Sequence, residues 1–222
     1  MIMQALASKR EEISTINCQS LGLIDYEEAL TIQRQLHQEV VDQISASSLL
    51  LLQHPPVFTA GRRTLDSERP IDGSKVIDVD RGGKITFHGP GQIVGYPIVK
   101  LQKPNDVVGF VRQLEKALIQ ICQDFNIEGQ TYCERSGVWI RDERGDRKIA
   151  AIGIRVAKGV TMHGFALNVN PDLSYFDRII PCGIADAQVT SMEKELNRSI
   201  ALEEVLEIVE ARMKQSLTQV SV

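Results

Sequence analysis

The chain has 222 residues, 43% hydrophobic and 24% charged, enough to bury a sizeable core and too few for a multidomain assembly. Twenty-five Lys and Arg against 29 Asp and Glu give a net charge of −4, which with no long like-charge run disfavours general binding to nucleic-acid phosphates. The N-terminal MIMQALASKREE lacks the apolar core of a secretory signal, and the longest aliphatic run, residues 49–52, is too short to span a bilayer. The expectation is a cytoplasmic protein with no membrane or nucleic-acid partner, one domain over residues 1–222 with its core over about 20–217.

Asp25 stands as an N-cap with Glu28 three residues on, and Ala29, Gln33, Leu36, Val40 and Ile44 follow at helical spacing, which predicts a helix over 26–44. Apolar or alternating runs at 48–53, 75–80 and 93–99 read as strands. Pro104, Asn105 and Asp106 open a second helix with Val107, Val111, Leu114, Leu118, Cys122 and Phe125 on one face, so Cys122 belongs to the core. Three further strands are predicted at 137–141, 148–156 and 160–169. Their junctions, Glu143-Arg144-Gly145-Asp146 and Ala157-Lys158-Gly159, carry hairpin chemistry and predict an antiparallel meander. A last helix over 201–217 turns Leu202, Val205, Leu206, Val209 and Met213 inward. The sum is an α+β single domain, a mixed or antiparallel sheet flanked by helices.

The cysteines, Cys18, Cys122, Cys133 and Cys182, have no Cys-x-x-Cys spacing and no companion His at zinc-finger distance, which argues against structural zinc or a disulfide framework. Cys18 and Cys133 read as small buried hydrophobes. Cys182 differs: it sits in Pro181-Cys182-Gly183, with Thr190-Ser191-Met192-Glu193 behind it as a capping box. A thiol is mostly protonated at neutral pH, so a nucleophilic role needs a cation or amide dipoles nearby. Lys148 and His163 are candidate suppliers. Strand alternation sets His163 on one face with Phe165, Leu167 and Val169, leaving a core histidine as the alternative.

The densest unusual stretch is RGGKITFHGPGQ, residues 81–92, where glycines let backbone approach a ligand closely. It fits neither the Walker A nor the Gly-x-Gly-x-x-Gly pattern, so nucleotide phosphate is not demanded. Either a ligand loop or a pair of turns bracketing a strand, with His88 satisfied inside it, accounts for the composition.

Together, LLLLQHPPVFTAGRRT from Leu49, RGGKITFHGPGQIVGYPIVKL from Arg81, KIAAIGIRV from Lys148, HGFALNVNPDL from His163 and FDRIIPCGIADAQVTSM ending at Met192 resemble the lipoyl(octanoyl) transferase family, in order, over about residues 20–215. The resemblance implies the fold of biotin and lipoate protein ligase catalytic domains. It places the family's acyl-accepting cysteine on Cys182 and its pKa-lowering lysine on Lys148. It places substrate-binding segments on Arg81, Gly82, Gly83, Lys84, Ile85, Thr86, Phe87 and His88, on Ala151, Ile152 and Gly153, and on Gly164, Phe165 and Ala166. His54 and His163 are further pocket candidates. Many members carry Ser where this chain has Ala151, which removes a hydroxyl contact but no backbone donor.

The implied reaction moves an octanoyl group from octanoyl-acyl carrier protein to a lysine ε-amine on lipoyl domains of 2-oxoacid dehydrogenase complexes and glycine cleavage H protein. It is the first step of protein lipoylation, by a monomer without metal or cofactor. A thioester is already activated, so no ATP is required. Cys182 as thiolate would attack the carbonyl, with Lys148 either a fixed cation or a base toward the incoming amine. Carrier proteins are acidic, which makes Arg62, Arg63, Lys84 and Arg155 docking candidates. The alternatives are an ATP-dependent lipoate or biotin ligase of the same fold, a carrier-binding module without turnover, and a transferase that relays acyl groups between two carriers.

Overall fold

The computed structural model describes residues 16–133, 135–179 and 188–222. Strand β1 (Asn17–Leu23) leads into helix α1 (Tyr26–Val41), whose cap is the predicted one: Asp25 Oδ1 accepts from the Glu27 amide at 2.8 Å and the Glu28 amide at 3.4 Å. The helix ends before Ile44 because Gln43 turns left-handed at φ +59°, and Ile44 is left exposed. Next come β2 (Ser48–Gln53), β3 (Val57–Ala60), β4 (Val76–Asp78), β5 (Thr86–His88) and β6 (Gln92–Ile98). Helix α2 (Val107–Asp124) is capped by Asp106, whose Oδ1 accepts from the Gly109 amide at 2.8 Å. It buries Phe110, Leu114, Leu118, Ile121 and Cys122, whereas Val107, predicted inward, is exposed in the first turn. Strands β7 (Gln130–Tyr132), β8 (Arg135–Asp142), β9 (Gly145–Ala157), β10 (Val160–Asn168) and β11 (Gln188–Val189), then helices α3 (Met192–Leu196) and α4 (Leu202–Leu217), complete the described chain.

The main sheet is mixed. Its order is β1-β2-β6-β10-β9-β8-β7, with β11 against β9. β1–β2 and β11–β9 are parallel, while the predicted β8–β9–β10 meander is antiparallel with Gly164 opposite Gly153. β2 is buried on both faces, which is why SLLLLQ lacks alternation. Leu49, Leu51, Ile93, Ile149 and Leu167 meet Leu114, Leu118, Val209 and Met213 of α2 and α4 on one side. Leu50, Leu52, Val94 and Ile98 meet Ala29 and Val40 of α1 on the other. Truncating one of these fully buried leucines to Ala costs about 2–5 kcal/mol.

A second sheet, β4-β3-β5, stands apart. The 75–80 run therefore forms only the short β4, in this smaller sheet, where Phe58 and Phe87 pack with Phe176 and Ile179. The capping box at 190–193 also shifts: Ser191 caps α3, and the Thr190 hydroxyl donates to Glu195 at 2.6 Å. No helix among the described residues is long and apolar enough to cross a membrane.

Candidate active site

A cavity of about 400 Å³ opens between the two sheets. Of the residues singled out in the sequence, Arg81, Gly83, Lys84, Ile85, Thr86, His88, Lys148, Ala151, Ile152, Gly153, His163, Gly164, Phe165 and Ala166 line it. Segments far apart in the chain thus converge on one volume, the size range of small-molecule sites.

Lys148 is 8% exposed. Its Nζ donates to the Ser136 carbonyl at 3.2 Å and lies 4.5 Å from the centre of the Trp139 ring, whose π face attracts a cation. The carbonyl is held in place from behind. Gly137 has φ +117°, and its amide donates at 2.9 Å to Oε1 of Glu115, a wholly buried carboxylate on α2 that also pairs with Arg112. A Cβ on Gly137 would come within 2.3 Å of the Ala150 carbonyl oxygen, so glycine is required at this bend.

The Arg81 guanidinium is buried and donates to the carbonyls of Thr59, Gly82 and Lys84, which ties the glycine-rich loop to β3. The Gly82 amide donates to the Ile154 carbonyl at 2.9 Å, docking the loop on β9. A side chain at Gly153 would meet Arg81 Cδ at 2.9 Å, so this glycine makes room for the loop.

Behind the loop lies an uncharged polar cluster. His54 Nδ1 donates to the Ile24 carbonyl at 2.7 Å, leaving Nε2 to accept from the Tyr96 hydroxyl at 2.8 Å. His88 stacks on Tyr26 at 6.1 Å and places Nδ1 3.2 Å from Gln92 Oε1. Burial pushes both imidazoles down, His88 well below the usual range, and pushes the Tyr26 phenol up to about 12.

His163 departs from its expected place. A φ of +58° breaks the alternation that would set it beside Phe165 and Leu167, and its Nε2 donates to Asp80 Oδ1 at 2.8 Å. Burial lowers its pKa against the opposing pull of Asp80. Burial also raises the Asp80 carboxyl, but the His163 bond and the His163 and Arg155 charges outweigh that and hold it below the ordinary range.

Gly82, Phe87 and His54 stand outside the cavity wall: Gly82 faces β9, Phe87 stacks on Tyr175 at 4.4 Å, and His54 supports Tyr96 from behind. Of the docking cations, Lys84 is paired with Glu68 and Arg155 with Asp80, while Arg62 and Arg63 are exposed and Arg63 reaches the cavity. Cys133 corrects its reading as a buried hydrophobe, being exposed and part of the cavity wall. Cys18 is half-buried, its thiol pushed up to about 11 by burial and Glu210, and Cys122 is buried and pushed up to about 12. Tyr26, Tyr96, Tyr132, Arg135 and Ser136 also line the cavity, although nothing in their local sequence marks them.

Cys182 lies outside the described residues, as does all of 180–187. On one flank Ile179 packs in the Phe87 cluster, and on the other Gln188 and Val189 pair with Arg147 and Lys148. Among the described residues no cluster of His, Cys, Asp or Glu could hold a metal ion.

The chain matches the family described as lipoyl protein ligase A/B catalytic domain over residues 25–214. It is 57% identical over 198 residues to the octanoyltransferase of Acidothermus cellulolyticus, covering 88% of this chain and 89% of that protein. A bipartite lipoate protein ligase from Thermoplasma acidophilum superimposes with a TM-score of 0.69 at 14% identity, covering 91% of this chain and 84% of that one. Biotin protein ligase from Aquifex aeolicus gives 0.51 at 17% identity over 91% of this chain and 71% of its own. At such identities the likeness to both ligases is one of fold.

Proposed function

The chain belongs to the lipoyl protein ligase A/B catalytic domain family, and on that footing we propose that it is an octanoyltransferase that begins protein lipoylation. The observation that carries this reading is the contrast within the matches: the relative sharing more than half of its residues is an octanoyltransferase, whereas the ligases share the fold. The placement of Lys148 in the wall of a cavity formed by the family's substrate segments supports it.

In the proposed reaction Cys182, as thiolate, attacks the carbonyl of octanoyl-acyl carrier protein. A C–S bond forms, the carrier's thiolate leaves, and an octanoyl-thioester remains on Cys182. A neutral lysine ε-amine of a lipoyl domain then attacks that carbonyl; the N–C bond forms, the C–S bond breaks, the nitrogen gives one proton to solvent, and the cysteine leaves as thiolate. Lys148, whose Nζ meets the Ser136 carbonyl and the Trp139 ring in the cavity wall, serves in this reading as the cation opposite the thiolate. Arg62 and Arg63 form the carrier-facing surface, and the enzyme works as a cytoplasmic monomer.

The test supplies octanoyl-acyl carrier protein and an apo-lipoyl domain without ATP and follows the acceptor's mass. Octanoylation of the acceptor is expected. Modification only with free octanoate and ATP makes the protein a ligase, and binding without modification makes it a carrier-binding module.

A further inference from the structure

We infer that His88 is a second catalytic residue, an uncharged acceptor whose Nε2 lone pair takes an N–H of the incoming amine and points the nitrogen lone pair at the acyl carbon. This rests on the reading of the cavity as an acyl-transfer site.

The argument is a count of donors and acceptors. Asn168 Nδ2 donates to the Thr190 carbonyl at 2.9 Å, so Asn168 Oδ1 must be the acceptor facing Gln92. Gln92 Nε2 donates to that oxygen at 2.9 Å and to the Phe87 carbonyl at 3.2 Å, which turns Gln92 Oε1 toward His88. An amide oxygen can only accept. His88 Nδ1 therefore carries the ring proton, and Nε2 is left with its lone pair. Nε2 has no hydrogen-bond partner among the described residues, is absent from the buried polar atoms that lack one, and belongs to a side chain in the cavity wall. The relay is rooted beside the lysine, because the Thr190 amide donates to the Lys148 carbonyl at 2.9 Å.

The surroundings keep the ring neutral. His54, Arg81 and His163 face it, and none offers a negative charge; the Tyr26 ring covers it, and burial is the largest influence. Attack needs the nitrogen lone pair, so the ε-ammonium first loses one proton to solvent, and the acceptor then holds one N–H of the neutral amine. During attack the N–H that does not face His88 gives its proton to solvent, and the product amide keeps the one bonded to Nε2. The ring stays neutral throughout, and the cysteine departs as thiolate.

The test uses the whole protein. Isolated octanoyl-enzyme is mixed with an apo-lipoyl domain, and its partition between amide product and hydrolysed octanoate is measured beside the rate of acyl-enzyme formation. His88→Phe, which keeps the ring stack and removes the acceptor, should lower the amide-to-hydrolysis ratio about tenfold, with acylation affected much less; His88→Gln, which restores an acceptor oxygen, should recover part of it. An unchanged ratio, or equal loss in both half-reactions, overturns the proposal. Where His88→Phe fails to fold, ¹⁵N NMR of histidine-labelled wild type decides: the neutral Nδ1–H tautomer from pH 8 to pH 6 is expected, and an Nε2–H tautomer or imidazolium there contradicts it. Failure of the wild type to form an acyl-enzyme instead refutes the transferase reading.

Discussion

Arg147 and Lys148 are neighbours on β9 and both buried, yet their surroundings differ in kind. Arg147, 3% exposed, is held by the carboxylates of Asp142 and Glu195, and Arg144 joins the same cluster, binding the β8–β9 hairpin to α3. Those bonds hold the Arg147 guanidinium above its ordinary range and Asp142 below. Lys148 faces a carbonyl and an aromatic ring in a cavity whose wall histidines, His88 and His163, are pushed toward the neutral form by burial. The hairpin matches charge with charge to hold structure, whereas the contacts of Lys148 in the cavity wall include a backbone carbonyl and an aromatic ring.

The sharpest way to break this contrast is to exchange the roles. Lys148→Ala should reduce octanoyl transfer by about 10²–10⁴-fold with little change in thermal midpoint, whereas Arg147→Met should preserve the chemistry of any folded enzyme and destabilise it by about 3 kcal/mol by leaving the buried Glu195 with only Arg144 and Thr190 as partners. Denaturant titration and single-turnover kinetics on both variants separate the two outcomes, and a large stability loss in Lys148→Ala would erase the distinction.

pH sharpens it further. The folded-state pKa values of His54 and His88 are lowered, so their contribution is complete above the unfolded value of about 6.5 and is lost as pH falls below it. Asp142 and Glu195 are also lowered, so their contribution holds above about 4 and is lost as pH falls toward their folded values. Stability against urea should therefore decline in two stages on acidification. Arg147→Met should flatten the lower stage and His54→Phe the upper one; one stage removed by both variants would contradict the separation. The smallest effect belongs to the rim, where Arg63→Glu should raise the Michaelis constant for the acyl carrier about threefold, worth ~0.7 kcal/mol, and leave the saturated rate alone.

Much of the scaffold was legible because its signals are local. Residues 48–53 form a buried strand as their apolar run implies, Asp25 caps α1, and the two turn sequences close the meander. β1 escaped because NCQSLGL has little alternation and its register slips between Ser20 and Gly22. β3 and β5 are only 4 and 3 residues long, below what periodicity resolves. In the site, pattern alone put Lys148 at the start of a strand and gave no sign of its partners, since Ser136 and Trp139 come from another strand through a bend at Gly137. The resemblance supplied Lys148, but no motif marked Tyr26, Tyr96 or Cys133, which the topology brings to the cavity from three separate elements or loops. The left-handed turn at His163 was equally invisible, because the apolar run around it predicts extended backbone, although histidine tolerates positive φ better than most residues.

The central claim is an acyl-enzyme served by a cation. The most direct measurement is the intact mass of the protein after incubation with octanoyl-acyl carrier protein and no ATP, for the wild type, Cys182→Ser, Cys133→Ser and Lys148→Ala. The account predicts a gain of one octanoyl group in the wild type and in Cys133→Ser, none in Cys182→Ser, slow gain in Lys148→Ala, and loss of the adduct on adding an apo-lipoyl domain. An adduct that persists in Cys182→Ser, or acceptor octanoylation without any adduct on the enzyme, would contradict it.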